Sequence, residues 1–407
     1  TAHAAAPTYL SRFAYMVSVP AFFVCAGYFF NSQYLQQKGT FVVRRARRLY
    51  LPFVKWSLLF LVLHNLFFPL GLLSETYGNA GGGVTHPYDW TTAMQNLWSI
   101  VFNMSGYDVF LAGAFWFFRA LFLSSIAFLL LFKGATCIKW LKNPTLQVTA
   151  VGTLTLLLAI WQSFDGLRIT GVAQGGYREL MGITFMSIGF LFRHNTDSPV
   201  SVAWRHPALG LAWSSLVLAL LVAFFPVAMT PSTGNPLAVV LLALAGPAAF
   251  VWLHAVAHYL SLLPRKVPEV IAYIGDNSIY IFGFHLLAFK LVSMIKVLAY
   301  GLPWEMVGNH PVVTFQRDDA FWIAYLLVGA GLPLLVVWSW RYFCTQFDFN
   351  WTRPADWGRL FLTISVGIWT GMKWLGRTSV RTSKKTAHGI AVTFKDIVTQ
   401  SRTDDDN

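Results

Sequence analysis

Arg44-Arg45-Ala46-Arg47-Arg48-Leu49-Tyr50-Leu51-Pro52 opens an apolar stretch that continues to Leu70. Four arginines crowd into five positions, and a run of hydrocarbon side chains follows, interrupted by little more than Lys55 and His64. A helix that crosses a bilayer needs roughly 20 mostly apolar residues. Lys and Arg are retained on the cytoplasmic side of such spans. The junction therefore reads as a membrane span with its cytoplasmic anchor.

Working outward, the pattern recurs. Apolar runs occupy approximately 13–31, 50–70, 110–132, 145–162, 179–193, 208–228, 237–260, 278–299 and 320–343. They are too long for strands, and no turn-separated alternation suggests a barrel. The expected fold is all-α, a polytopic transmembrane helix bundle with nine spans visible and ten if one precedes Thr1. Composition agrees. Charged residues make up 12% of the chain, against about 25% in soluble proteins, whose surfaces must meet water. A soluble monomer and a disordered chain are both excluded.

The loops give the orientation. With 32–49 taken as cytoplasmic, the inner loops hold Lys38, the arginine cluster, Lys133, Lys139, Lys142, Arg193, Arg205, Arg265 and Lys266. The outer loops, near 71–109, 163–178, 229–236 and 300–319, hold only Arg168, Arg178 and Arg317. The net charge of +13 is thus first a topology signal, and nucleic acid is not an expected partner. The alternation puts the start of the chain outside and its C-terminus in the cytoplasm. The chain opens Thr1-Ala2-His3 without Met or a basic segment before an apolar core. That reads as a truncated N-terminus with no visible signal peptide.

Three segments follow: a membrane domain over 1–345, an interfacial amphipathic segment over 346–376, and a basic, disordered cytoplasmic tail over 377–407. The apolar run 359–372 is short for a span and rich in flanking Trp. No internal repeat is visible. Cys25, Cys137 and Cys344 show neither a disulfide framework nor a metal spacing. His254 and His258 are four apart but lack the Glu of a zinc motif. No Walker loop or nucleophile elbow is present.

The arginine cluster has two readings. It is a topology anchor, or a phosphate site in which planar guanidinium forks grip a cytosolic donor such as coenzyme A. On an α-helix Arg44 and Arg48 share a face by i,i+4 spacing, as Arg44 and Arg47 do by i,i+3. His3 is a candidate general base, since imidazole takes a proton from a hydroxyl near neutral pH. Arg119 sits inside an apolar run with no acidic residue one turn away on that run, so its partner must come from another helix. Trp116 shares its face, and the two together line a cavity. His285 is read as a core or hydrogen-bonded histidine ahead of direct chemistry, and Asn277-Ser278 as a helix N-cap. His64 receives no role.

Four elements together resemble a known family. Val19-Pro20-Ala21-Phe22-Phe23-Val24-Cys25-Ala26-Gly27-Tyr28-Phe29 is similar to the first long element of acyltransferase family 3, a group of integral-membrane O-acyltransferases. Arg45-Ala46-Arg47-Arg48-Leu49-Tyr50-Leu51-Pro52 resembles its R-x-x-R-L-x-x-P motif. Phe115-Trp116-Phe117-Phe118-Arg119-Ala120-Leu121-Phe122 and Ile274-Gly275-Asp276-Asn277-Ser278-Ile279-Tyr280-Ile281-Phe282-Gly283-Phe284-His285 resemble two later segments. The resemblance covers roughly 3–343. It implies transfer of an acyl group, an acetyl group by expectation, from acyl-CoA to a hydroxyl of an extracytoplasmic or lipid-linked carbohydrate. It also implies a bacterial inner (plasma) membrane location. Acyl-CoA enters as co-substrate, with no bound cofactor and no metal. His3 matches the family's histidine at the outer part of the first span. Ala26, Phe115 and Arg119 depart from the pattern. The alternative is a secondary transporter or exporter, which intramembrane His and Arg also suit.

Overall fold

The computed structural model describes residues 6–78, 85–164, 168–195, 205–225, 227–230, 234–316 and 319–346. His3, most of the segment expected over 346–376 and the whole 377–407 tail lie outside these described residues. In chain order the helices are α1 (Thr8–Tyr28), α2 (Lys38–Arg45), α3 (Leu51–Phe67), α4 (Trp90–Asn103), α5 (Trp116–Ala135) and α6 (Pro144–Ser163). They continue with α7 (Tyr177–His194), α8 (Pro207–Phe224), α9 (Pro236–Ser261), α10 (Lys266–Asp276), α11 (Ser278–Ala299) and α12 (Phe321–Gln346). The protein is an all-α, multi-pass membrane bundle.

Among the described residues, eight helical stretches are long and apolar enough to cross a membrane. They account for eight of the nine expected runs. The ninth is α7, which falls short because Arg178, Glu179 and Arg193 sit at its ends. It is instead the central helix, buried along most of its length and packed against α1, α5, α6 and α9. Polar groups are tolerated there because protein, and not lipid, surrounds them. Two glycines permit the closest crossing. A Cβ on Gly27 would strike the Met186 backbone, and one on Gly189 would strike the backbone of Val24 and Tyr28. Small residues at such contacts let membrane helices approach backbone to backbone.

The span expected to begin at Tyr50 begins earlier. The helix runs without a break from Lys38 to Phe67, 30 residues, or about 45 Å at the α-helical rise. That exceeds a hydrocarbon core of roughly 30 Å, so the rod projects beyond it. A π-helical turn over Ala46–Tyr50 joins α2 to α3 and places the arginine cluster in the first third of the rod.

Two connections expected as plain loops fold back into the bundle. The first contains α4, capped by Asp89, whose carboxylate accepts from Thr92 N at 2.7 Å. It runs antiparallel to α3. Tyr88 N donates to Asn65 Oδ1 at one end (2.7 Å), and Tyr50 Oη donates to Val101 O at the other (2.6 Å). The chain then reverses through Met104 and Gly106, both at positive φ, and returns by the buried Phe110, Leu111 and Ala112 to start α5. Irregular backbone at such depth persists only where protein covers it. The Asp108 carboxylate satisfies two of its donors, Phe110 N at 2.8 Å and Leu111 N at 3.2 Å. The second connection, 300–316, is drawn in by Lys290. Its ammonium donates to Val307 O at 3.0 Å and Asn309 O at 2.8 Å. Nearby, Lys296 pairs with Asp319 at 2.8 Å.

The chain divides into two units, Thr1–Pro333 and Leu334–Asn407. The described part of the second is the end of α12. It exposes Leu335, Val336, Trp338 and Tyr342 and stacks Trp338 on Tyr342.

Candidate active site

At one end of the α2–α3 rod stand the four arginines. The widened turn splits them, so the shared face expected from i,i+4 spacing does not form as on a regular helix. Arg44 and Arg45 close α2, whereas Arg47 and Arg48 belong to the π turn. Arg44 Nη1 donates to Tyr34 Oη at 2.6 Å, and Arg45 lies over the Phe41 ring at 5.2 Å. Arg47 and Arg48 are exposed, and neither makes an ion pair with a described residue. Two guanidiniums are thus held by aromatic neighbours and two are presented. Isolated π turns are frequent at functional sites.

A second group lies inside the bundle. Trp116 and Arg119 are one turn apart at the start of α5, as their spacing predicts. The structure adds Arg178 and Glu179 from the start of α7. Arg178 stacks over the Trp116 ring at 3.8 Å, and its Nε donates to Met229 O at 2.9 Å. Arg119 is 8% exposed and Glu179 9%. Arg119 Nη2 donates to Gly171 O at 3.2 Å, while Arg119 Nε and Glu179 Oε2 are buried without a hydrogen-bond partner. Glu179 is within electrostatic reach of both Arg119 and Arg178, yet no ion pair joins them among the described residues. Tyr107, on the returning segment, is in range of both guanidiniums. Reasoning from sequence missed Arg178, which was counted as a loop charge, and Glu179. A signal existed. Glu179 is the single acidic residue in all nine apolar runs, and an ionisable residue inside a membrane run is a functional candidate by default.

A third group sits at the end of the bundle opposite the arginines. His64 Nδ1 is 2.6 Å from Asp108 Oδ2, and His64 Nε2 is 2.9 Å from His86 O. The ring also stacks on Tyr88, with centroids 3.6 Å apart. Acceptors on both nitrogens leave neither free for a substrate. His310 lies nearby, its ring 4.9 Å from that of Phe110 and its Nδ1 buried without a partner. Burial, and after it the Lys290 charge, push this imidazole down to about 4.

The remaining sequence candidates show contacts along their own helices. His285 Nδ1 faces the carbonyls of Ile281 and Phe282 on its own helix, at 3.1 and 3.0 Å. Asn277 precedes α11 but does not cap it. Its amide donates back to Tyr273 O at 2.8 Å, tying α10 to α11, while its Oδ1 is buried without a partner. His3 lies outside the described residues.

Comparison with known proteins adds the family. The "Acyltransferase domain" family matches residues 2–315. The peptidoglycan O-acetyltransferase OatA of Listeria monocytogenes is 28% identical over 222 residues, which is 50% of this chain and 33% of that protein. The chain therefore spans about a third of the length of this curated relative. No solved structure matches. With the matched region reaching from the start of the chain through α11 and both inward-folded connections, the chain belongs to acyltransferase family 3.

Proposed function

We propose that the protein is a membrane-bound O-acyltransferase that moves an acyl group, most simply acetyl, from acyl-CoA to a hydroxyl of an extracytoplasmic or lipid-linked carbohydrate. The donor's nucleotide phosphates bind Arg47 and Arg48 at the cytoplasmic rim, with Arg44 and Arg45 adding charge. The acyl group extends toward the interior of the bundle. His3 takes the proton of the acceptor hydroxyl, whose oxygen attacks the thioester carbonyl. A C–O bond forms and the C–S bond breaks. The departing thiolate receives the proton that His3 carries. The acceptor lies against Trp116 and Arg119. The membrane is the inner membrane of a bacterium, with the C-terminus in the cytoplasm.

The observation that supports this reading most is the separation of two arginine-bearing polar features in the bundle. Exposed guanidiniums stand on a π turn at one end, and a buried group with unpartnered polar atoms lies within. The named activity of the Listeria relative, O-acetyl transfer, fits the same chemistry. The test is release of CoA from acetyl-CoA by the purified full-length protein with a glycan acceptor. Turnover that depends on His3, and falls in His3→Ala, supports the scheme. Uptake of a solute into proteoliposomes with no CoA release would instead favour the transporter reading.

A further inference from the structure

α4 spends one face on the bundle and leaves the other open. Ile100 is fully buried, and the helix packs on α3. On the far side Trp90, Trp98 and Phe102 are 78%, 62% and 63% exposed, and Thr91 and Gln95 are exposed with them. This side lies at membrane depth. α4 runs beside the rod from the level of Asn65 to that of Tyr50, about 22 Å at the helical rise, within a hydrocarbon core of roughly 30 Å. Among the described residues, neither the Gln95 amide nor the Thr91 hydroxyl takes part in a hydrogen bond. Lipid tails offer none. An amide left bare in hydrocarbon is unfavourable, and Gln side chains in membranes hydrogen-bond across helices instead.

The spacing on this face says what kind of helix fits it. Thr91, Gln95, Trp98 and Phe102 follow one another at intervals of four, three and four residues, the repeat of the seam in a left-handed helix pair. In such a pair each seam side chain inserts among four residues of the facing helix. A groove of about 520 Å³ opens on α4, lined by Trp90, Thr91, Met94, Gln95, Trp98 and Ser99. Thr91, Met94, Gln95 and Trp98 stand at i, i+3, i+4 and i+7. They are the four that would surround a side chain entering from a parallel partner helix at the level of Gln95.

A second copy supplies that side chain. Two copies in one membrane share an orientation, so a twofold axis along the membrane normal sets α4 parallel to α4 and each position against itself. Glutamine is both donor and acceptor, so the Gln95 amide complements its own copy. We infer that the exposed face of α4 is the docking surface for a second copy of this chain, with the two Gln95 side chains bonded across the axis. Trp98 and Phe102, whose ring centroids are 4.0 Å apart, close the seam on its cytoplasmic side. The inference does not depend on the acyl-transfer reading.

Cross-linking in native membranes tests it on the full-length protein. Cys137 is exposed, so Gln95→Cys is made together with Cys137→Ser and oxidised with copper phenanthroline. A disulfide-linked dimer is expected, with none from Cys137→Ser alone and little from Leu154→Cys, a control at a 49% exposed position on α6. In lipid vesicles, energy transfer between labelled copies follows dissociation as the protein is diluted in lipid. Gln95→Leu, which removes no contact between α4 and α3, should raise the dissociation constant about ten-fold, the scale of one interhelical hydrogen bond. Cross-linking at Gln95 no stronger than at Leu154 overturns the inference. So does a dimer whose dissociation constant ignores Gln95→Leu. A monomer that retains a lipid in native mass spectrometry, and loses it in Gln95→Leu, also overturns it and assigns the groove to that lipid.

Discussion

The imidazole of His64 lies 2.6 Å from the carboxylate of Asp108, and both side chains are shut off from solvent. His64 is near the end of α3, and Asp108 is on the segment that returns after α4. The pair therefore fastens an inward-folded connection to the rod that carries the arginines. The ring's other nitrogen, bonded to His86 O, secures the chain just before α4 to the same point. His64 is an anchor for backbone that would otherwise have no place in a membrane.

Asp108→Asn and His64→Leu should each destabilise the protein by about 1–3 kcal/mol, because each leaves a buried hydrogen-bonding group without its partner. The double variant should be less unstable than the sum of the two. Thermal unfolding in detergent reads all three. Additive losses would show that the two groups do not act as a unit.

His310 makes stability depend on pH. Its folded pKa is about 4 against an ordinary value of 6.5. Between these values the unfolded chain binds a proton that the folded chain refuses. The His310 contribution is therefore fully present above pH 6.5 and is lost as pH drops toward 4. The groups facing the ring are Lys290, Asp108 and the Phe110 backbone. At full effect the loss is about 3 kcal/mol. His310→Gln should flatten the midpoint temperature across that window by this increment. An unchanged slope in the variant would remove the assignment.

Gly189 and Gly27 hold α1 and α7 together. Gly189→Ala places a methyl against the Val24 backbone and the Tyr28 amide, atoms that cannot rotate aside. The expected cost is about 1–3 kcal/mol, seen as a lower melting temperature. Gly134→Ala, at a position where an added Cβ meets nothing within 4 Å, should leave the melting temperature nearly unchanged or raise it. If Gly189→Ala is equally silent, the close crossing is not what holds these helices.

The spans were legible in the sequence because each is a property of one continuous stretch. A run such as 237–260 needs no partner to be recognised, and the basic loops order the runs in space. The inward-folded connections were not legible. α4 has 14 residues, fewer than a span needs, and its polar residues read as loop. Lys290 hides in an apolar run because its acceptors, Val307 and Asn309, are carbonyls and leave no side-chain signature. The candidate site was half legible. Trp116 and Arg119 share a helix face by spacing alone. Arg178 and Glu179 join them only through the packing of α5 on α7, and the His64–Asp108 pair closes across 44 positions. The π turn escaped notice because the residues of Ala46–Tyr50 suit a regular helix equally well.

That turn sets the last prediction. Arg44 and Arg45 are engaged by Tyr34 and Phe41, while Arg47 and Arg48 are presented. If the rim holds the nucleotide end of acyl-CoA, Arg47→Ala and Arg48→Ala should each raise KM for acetyl-CoA by about ten-fold, the loss of one charge-assisted contact to phosphate. Arg44→Ala should raise it less, and kcat should change little, since the contact is equally present in the ground and transition states. Acetyl-pantetheine lacks the nucleotide and its charges. With it as donor, wild type and the Arg47→Ala/Arg48→Ala variant should become indistinguishable. An equal loss with both donors would mean that the arginines serve the fold or the orientation in the membrane, and that the phosphates bind elsewhere.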